Sequence, residues 1–582
     1  MSIARRNSEQ IDEKMSETRS EKQEKKKQNN EEHLKKLDPD KFVESYGTYG
    51  RYQIITYILV QTLNFFYSSS MYVMSFVQLN LVKTCKYGNE TVPISRTCEI
   101  ETKEMRKEYS FMNGNTCGTI GNTELIIENH SAKTNLLVEF DLSCSHWFFQ
   151  EFGLTTFTVG AVFAVPVMSF LADRYGRKPI IVASAVMAFL ANVTASFSPN
   201  YAVFLVLRAI VGASSDTYLS VGSVATCEYI SEKARAWITV VYNVAWSLGM
   251  VWTLMVTFMT EDWHWRYFIV VFPGIYAFVL WYFLPESPHW LIVKNKTKKL
   301  KKYIKTANKV NNHDPDFSEC QSETHHIEKH ESLKALCGSS KLLWILFANG
   351  FIEMVISLVY FAISFLSVEL GDDHVKAFLY SSIVEIPAGL SVLPLMMKFG
   401  RRTIVIWCLC LQTLALIGVT AFLDIYSLKL TMMLVAKVMA TVIYSVHPIW
   451  ATEQFPTSVR SLCFSLMNIP QSMGIIMSPY LKHIQLSPSW LPFLIIGFFS
   501  FISATLGFML NETKNTKLPV DVESLSNPTE TAEMSLMSYL SPDSSSTSSK
   551  SSSSSLASTS AKRQVNKPSK EFGAIIFSDV SQ

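Results

Sequence analysis

About a dozen apolar runs, each near 20 residues long and many with no charge, are strung along this chain. A helix needs roughly 20 apolar residues to cross the hydrocarbon of a bilayer, and exposing so many such runs to water would cost far more than folding returns. The charges are pushed elsewhere. Only 17% of residues are charged, against 48% hydrophobic, where a soluble domain carries roughly 25% charged residues. Mean hydropathy is +0.17 in spite of long polar ends. A soluble globular protein is excluded, and the chain reads as an all-α membrane protein.

Twenty-residue windows place the first six spans near 52–79, 147–171, 179–198, 201–224, 236–260 and 264–284. The second six lie near 342–366, 376–398, 403–423, 428–449, 461–481 and 490–510. The chain therefore divides into a polar N-terminal segment 1–45, a six-helix half 46–284 that includes a long loop 80–146, a linker 285–341, a second half 342–511 and a Ser-rich tail 512–582. The tail cannot bury a core and is expected to be disordered. The charge-rich N-terminal run is read as solvated, and the linker as partly helical.

Lys and Arg set the orientation. They cluster before the first span, at Arg174–Lys178, Lys233–Arg235, Lys294–Lys302 and Arg401–Arg402, all on one side of a twelve-span layout. That side is expected to be cytoplasmic, with both termini, and the loop 80–146 extracellular at the cell membrane. Four of the ten cysteines (Cys85, Cys98, Cys117 and Cys144) fall in this loop, as disulfide candidates whose pairing is open among three connectivities. The sequons at Asn89 and Asn129 lie there too. The net charge of +3 and a Lys run interleaved with Glu give no nucleic-acid signature. His325, His326 and His330 lack the accompanying ligands of a metal site, and no metal or other cofactor is expected.

An internal repeat runs through the spans. Arg174-Tyr175-Gly176-Arg177-Lys178 returns as Lys398-Phe399-Gly400-Arg401-Arg402, Glu228 and Arg235 return as Glu453 and Arg460, and Glu286 returns as Glu512. The offsets stay within 224–226 residues. Two homologous six-helix halves follow, an architecture that transporters use.

The stretch Ser169-Phe170-Leu171-Ala172-Asp173-Arg174-Tyr175-Gly176-Arg177-Lys178 resembles the G-x-L-A-D-R-x-G-R-K loop of the major facilitator superfamily, with Ser169 in place of the first Gly. Gly50-Arg51-Tyr52-Gln53, Phe140-Asp141-Leu142-Ser143-Cys144, Pro285-Glu286-Ser287-Pro288-His289-Trp290-Leu291, Glu385-Ile386-Pro387-Ala388 and Glu453-Gln454-Phe455-Pro456-Thr457-Ser458-Val459-Arg460 narrow the resemblance. They are similar to motifs of the organic cation, anion and zwitterion transporters, solute carrier family 22, over residues 46–514. The resemblance implies two pseudo-symmetric six-helix bundles that rock about a midplane site. It also implies that Asp173, Arg174, Gly176, Arg177, Glu228, Arg235, Gly400, Arg401, Glu453 and Arg460 gate the basic side by latching the halves.

An ionisable group inside a span is costly and functional by default. Asp216, Glu353, Glu385 and Lys437 stand near the middle of the fourth, seventh, eighth and tenth spans. The family reads substrate charge at a position that is Ser472 here, and the Lys common after the E/D-x-P-A motif of anion carriers is Gly389. Tyr360 matches a family cavity tyrosine, Tyr67, Tyr242, Trp246 and Tyr444 could add aromatic faces for a cation, and His447 could relay protons. With three acids against one base, the path is expected to be net negative.

The expected activity is alternating-access transport of a small organic ion, foremost a cation driven by membrane potential. The alternatives are a sodium- or proton-coupled zwitterion or anion carrier and, more distantly, a non-transporting receptor or scaffold. No nucleophile–base or metal constellation suggests an enzyme. Expected partners are the substrate ion, membrane lipid and a possible co-transported ion, with the oligomeric state left open.

Overall fold

The computed structural model describes residues 37–78, 84–87, 90–93, 126–127, 135–140, 142, 147–231, 238–315, 317, 320, 338–368, 374–422, 425–456, 459–486 and 490–514. Twelve helical passes form two groups of six. Ten helices among the described residues are long and apolar enough to cross a membrane. The other two passes, the first and the eleventh, are irregular. In the first, Arg51–Gln61 and Leu63–Val77 are separated at Thr62. There Thr62 donates to the Ile58 carbonyl at 2.9 Å, and Tyr276 of the sixth span donates to the Leu59 carbonyl at 3.0 Å. Side chains thus compete for the carbonyls that the helix would use. The eleventh, Arg460–Met477, contains Pro470 and continues as a 3-10 helix, Ser478–Leu486.

The remaining spans of the first half are Phe152–Tyr175, Arg177–Ala195, Tyr201–Tyr229, Ile238–Met259 and a sixth built from Trp263–Val271, a 3-10 turn Phe272–Ile275 and Tyr276–Phe283. Those of the second are Ser340–Val368, His374–Lys398, Arg401–Ala421, Tyr426–Gln454 and Leu491–Met509. Without a hydrophobic drive between helices in lipid, close packing relies on small residues. The second and fourth spans show this reciprocally. A Cβ on Gly160 would stand 2.1 Å from the Ala209 carbonyl oxygen, and one on Gly212 would stand 1.8 Å from that of Phe157. The halves meet where the fifth span packs on the eighth and the second on the eleventh. One apolar cluster, including Tyr67, Tyr72, Trp246, Phe361 and Phe378, is continuous across this seam.

The side bearing the 80–146 loop is called the loop side below, and the opposite one the basic side. Three short strands, Thr84–Tyr87, Glu90–Pro93 and Ile126–Ile127, pair antiparallel in the loop with the first strand central. On the basic side, helices Pro39–Glu44, Pro288–Val293 and Thr297–Asn311 share a small core of Leu37, Phe42, Val43, Trp290 and Tyr303. Tyr46 donates to Asn308 at 2.7 Å and the Tyr52 amide to Asn311 at 2.8 Å. The end of the N-terminal segment, read from sequence as solvated, is therefore packed; its few apolar residues were masked by the charges before them.

Candidate functional site

The seventh, eighth and tenth spans bring Tyr360, Glu385 and Lys437 together at the centre. Lys437 Nζ lies 2.6 Å from Glu385 Oε1 and 3.5 Å above the Tyr360 ring, and it donates to the Ser364 hydroxyl. Tyr360 donates to Glu385 Oε1 at 2.8 Å. The first half reaches in as well, with Ser247 donating to Glu385 Oε2 at 3.3 Å and Tyr72 to Ser364 at 3.3 Å. Both charges are fully buried. A buried pair persists only when its remaining hydrogen-bond capacity is met, and here Tyr360, Ser247 and Ser364 meet it.

Glu353 does not join this set. Its carboxylate meets His447 Nδ1 of the tenth span at 2.5 Å, with both side chains buried. Ten residues of helix separate His447 from Lys437, roughly 15 Å towards the basic side. His447 thus gives the path a second basic partner, which the sequence count of one base against three acids lacked.

Asp216 stands apart from both pairs. Among the described residues no Lys, Arg or His forms an ion pair with it, and the Tyr67 hydroxyl faces its carboxylate. Around it, Trp246 lies 5.5 Å from Tyr67 and 5.9 Å from Tyr242, ring centre to ring centre, and the buried Trp246 indole N–H has no hydrogen-bond partner among the described residues. The Tyr444 ring lies tilted against Tyr360, 5.0 Å from centre to centre, and its hydroxyl accepts from Gln471 at 3.1 Å. Ser472 donates within its own helix to the Asn468 carbonyl at 2.9 Å.

The basic-side motifs form two matching turns. Gly176 takes φ +114, and a Cβ there would meet the Glu286 carboxylate. That carboxylate accepts from the amides of Arg177 at 2.7 Å, Lys178 at 3.0 Å and Ser287 at 3.2 Å. In the second half Glu512 sits beside Gly400 and accepts from the amides of Arg402, Thr403, Thr513 and Lys514. Burial pushes the Glu512 carboxyl up, but these amides outweigh it and hold the group below its ordinary value. Arg177 pairs with Asp173 and, at 3.0 Å, with Glu228; Arg401 pairs with Glu453 at 3.5 Å; Arg460 donates to the Phe455 carbonyl at 3.2 Å. The Arg174 guanidinium lies over the Tyr175 ring at 5.7 Å. Each of these contacts stays within one half.

An ion pair that joins the halves on the loop side was not read from sequence. On the loop side, Glu151 at the start of the second span meets Lys482 at 2.6 Å and His483 at 2.9 Å, both beyond the eleventh span. Thr155 and Tyr480 add a hydrogen bond of 2.6 Å across the same seam. The signal was topological: these charges flank spans that neighbour one another in the fold. Arg208 was also missed. It is wholly buried in the fourth span, over the Phe157 ring at 4.7 Å, and donates to the Ser70 and Gly153 carbonyls and to Tyr267. Arg235, Asn89, Asn129, Cys98, Cys117 and Cys144 lie outside the described residues, and Cys85 is described by its backbone alone, paired opposite Val92.

Two bundles of six helices, buried charges at their seam and a duplicated basic-side turn define a membrane transporter of the major facilitator fold. The sequence profile of the sugar (and other) transporter family matches residues 110–519. The chain is similar to a Caenorhabditis elegans protein named as a candidate transporter, with 74% identity over 92% of each chain. It is 26% identical to the organic cation transporter-like protein of Drosophila melanogaster, covering 81% of this chain and 89% of that one. It is also 26% identical to solute carrier family 22 member 2 of Pongo abelii, covering 68% and 72%. The inward-open xylose transporter of E. coli shares the fold at a TM-score of 0.54 and 15% identity, over 81% of this chain and 99% of that one. The chain belongs to the sugar (and other) transporter family and has the major facilitator fold.

Proposed function

We propose that this chain carries small organic cations by alternating access, with Asp216 as the counter-charge and Tyr67, Tyr242, Trp246 and Tyr444 as the faces that hold the cation. The observation that carries this reading is Asp216 itself, a carboxylate in the middle of a span with no ion-pair partner among the described residues and with aromatic rings around it. Glu385 and Glu353 are each matched to a base, so Asp216 is left to supply the attraction. A quaternary ammonium gains about 0.5–2 kcal/mol from each well-placed ring. Relatives named for organic cations support the same class.

In this reading the basic side faces the cytoplasm and the protein resides in the plasma membrane. A monovalent cation entering a negative-inside cell gains about 2.3 kcal/mol per 100 mV, so uptake needs no nucleotide. Rocking of the halves exposes the centre to one side at a time. Glu151, Lys482 and His483 close the loop side, and the basic-side arginines and acids swing with their own halves.

The test is uptake of labelled tetraethylammonium, a carnitine-like zwitterion and a monocarboxylate at clamped potentials, by wild type and Asp216→Asn. Potential-dependent cation uptake that Asp216→Asn removes is the expected result. Zwitterion or anion uptake indifferent to Asp216→Asn would overturn the reading.

A further inference from the structure

The Glu353–His447 pair is not used by the cation reading. Both side chains are buried, Nδ1 of His447 is committed to Glu353, and Nε2 is buried with no hydrogen-bond partner among the described residues. A helix-packing histidine would be expected to satisfy both nitrogens. Here one nitrogen is tied to a carboxylate and the other is left open. With Nδ1 protonated and Glu353 ionised, Nε2 is a bare acceptor and the pair carries one negative charge. A proton taken up at Nε2 gives an imidazolium–carboxylate pair of zero net charge, with no other bond made or broken.

We propose that Glu353 and His447 form a proton-binding site, with Nε2 of His447 as the atom that takes the proton, and that its occupancy is linked to cation binding at Asp216. The linkage is electrostatic. The deprotonated pair adds a negative charge to a low-dielectric seam that already holds Asp216, and protonation removes it. Cation binding therefore favours proton release, and by reciprocity proton binding weakens the cation. In transport a proton leaving assists a cation entering without being required for it, so cycles made with the pair unprotonated still move the cation's charge; the cation half rests on the reading above.

The other charged and titratable groups around the pair leave this balance intact. Tyr360 lies on the seventh span, Lys437 and Tyr444 on the tenth, Glu385 on the eighth, Cys408 on the ninth, Cys463 and Arg460 on the eleventh, and Tyr242 and Asp216 on the first half's side; the twelfth span has no titratable side chain. Lys437 and Glu385 neutralise each other, and Arg460 sits at the basic-side end of its span, bonded to the Phe455 carbonyl.

The test uses the full chain in proteoliposomes held at zero potential, with tetraethylammonium as the probe and pH gradients imposed in both directions. Uptake should rise severalfold when the interior is acid and fall when the gradient is reversed. Glu353→Gln and His447→Gln should keep potential-driven uptake but lose this response. A wild type indifferent to the gradient, or variants that keep the response, would overturn the site. Should the wild type carry no tetraethylammonium, the cation reading fails and infrared titration decides the proton site alone. Paired imidazole and carboxylate bands that change together with pH in wild type, and vanish in both variants, support it. Identical titrations in all three proteins would sink it.

Discussion

Glu286 and Glu512 do the same work in the two halves, each folding back onto the backbone amides that open the helix after a basic-side glycine. The glycines are not equivalent. Gly176 adopts φ +114, whereas Gly400 has φ −73. Only the first is in the region that penalises a side chain, by roughly 1–2 kcal/mol. Gly176→Ala should therefore lower the melting temperature of detergent-purified protein more than Gly400→Ala, although both methyl groups crowd a glutamate. Equal losses would mean that crowding, not backbone conformation, governs these turns.

Removing one member of the Lys437–Glu385 pair leaves a buried charge uncompensated, at a cost of about 3–5 kcal/mol. Lys437→Met and Glu385→Gln should each reduce the amount of monodisperse protein on size exclusion. The double variant should recover much of it, because neither charge is then stranded. A double variant as poor as the worse single one would show that the surrounding hydroxyls, not the charges, hold this centre.

Glu151 predicts a pH dependence on the loop side. Burial acts to raise its carboxyl, but Lys482 and His483 outweigh burial and hold it below its ordinary value. A carboxyl depressed in this way contributes fully above the ordinary value near about 4.3, and its contribution is lost only as pH falls through the lowered value. Gln78 ends the first span and lines the same cleft as Glu151 and Lys482, so a cysteine placed there should label severalfold faster with a membrane-impermeant thiol reagent in Glu151→Gln than in the Glu151 background at neutral pH. The ratio of the two rates should converge on one in strong acid. A ratio flat across pH would contradict the charge-based closure.

Trp246 links the Tyr67 and Tyr242 rings. Trp246→Ala should raise KM for tetraethylammonium by roughly 2- to 30-fold, the range that one cation–aromatic contact supplies, while Trp246→Phe should recover most of it. Uptake kinetics for the three proteins decide this, and an unchanged KM in Trp246→Ala would remove the ring from the site.

Much of the fold was legible because the bilayer leaves few options: helix length and charge placement follow from solvation, and the two halves show in motifs repeated at a nearly constant offset. Glu385, Lys437, Asp216 and Glu353 stood out for the same reason. Their partners did not, because two helices carry no record in sequence of which faces they share. His447 read more readily as a packing residue than as a proton relay, and nothing in the sequence paired it with Glu353. Arg208 escaped notice because its ligands are chiefly backbone carbonyls and one tyrosine hydroxyl, which no charge count reveals. The break at Thr62 depends on a tyrosine from the sixth span, more than 200 residues away.

The turns closed by Glu286 and Glu512 make each half cohesive on its own, so the two bundles behave as levers and the seam as their bearing. Damage to a lever and damage to the bearing should then look different in a saturation mutagenesis screen that scores surface abundance beside uptake. Substitutions at Gly176, Gly212 or Glu512 should deplete the protein itself, and uptake per surviving molecule should hold steady. Substitutions at Glu151, Lys482 or Asn243, which donates across the seam to Ser445 at 3.0 Å, should leave abundance near normal and alter the speed of each molecule.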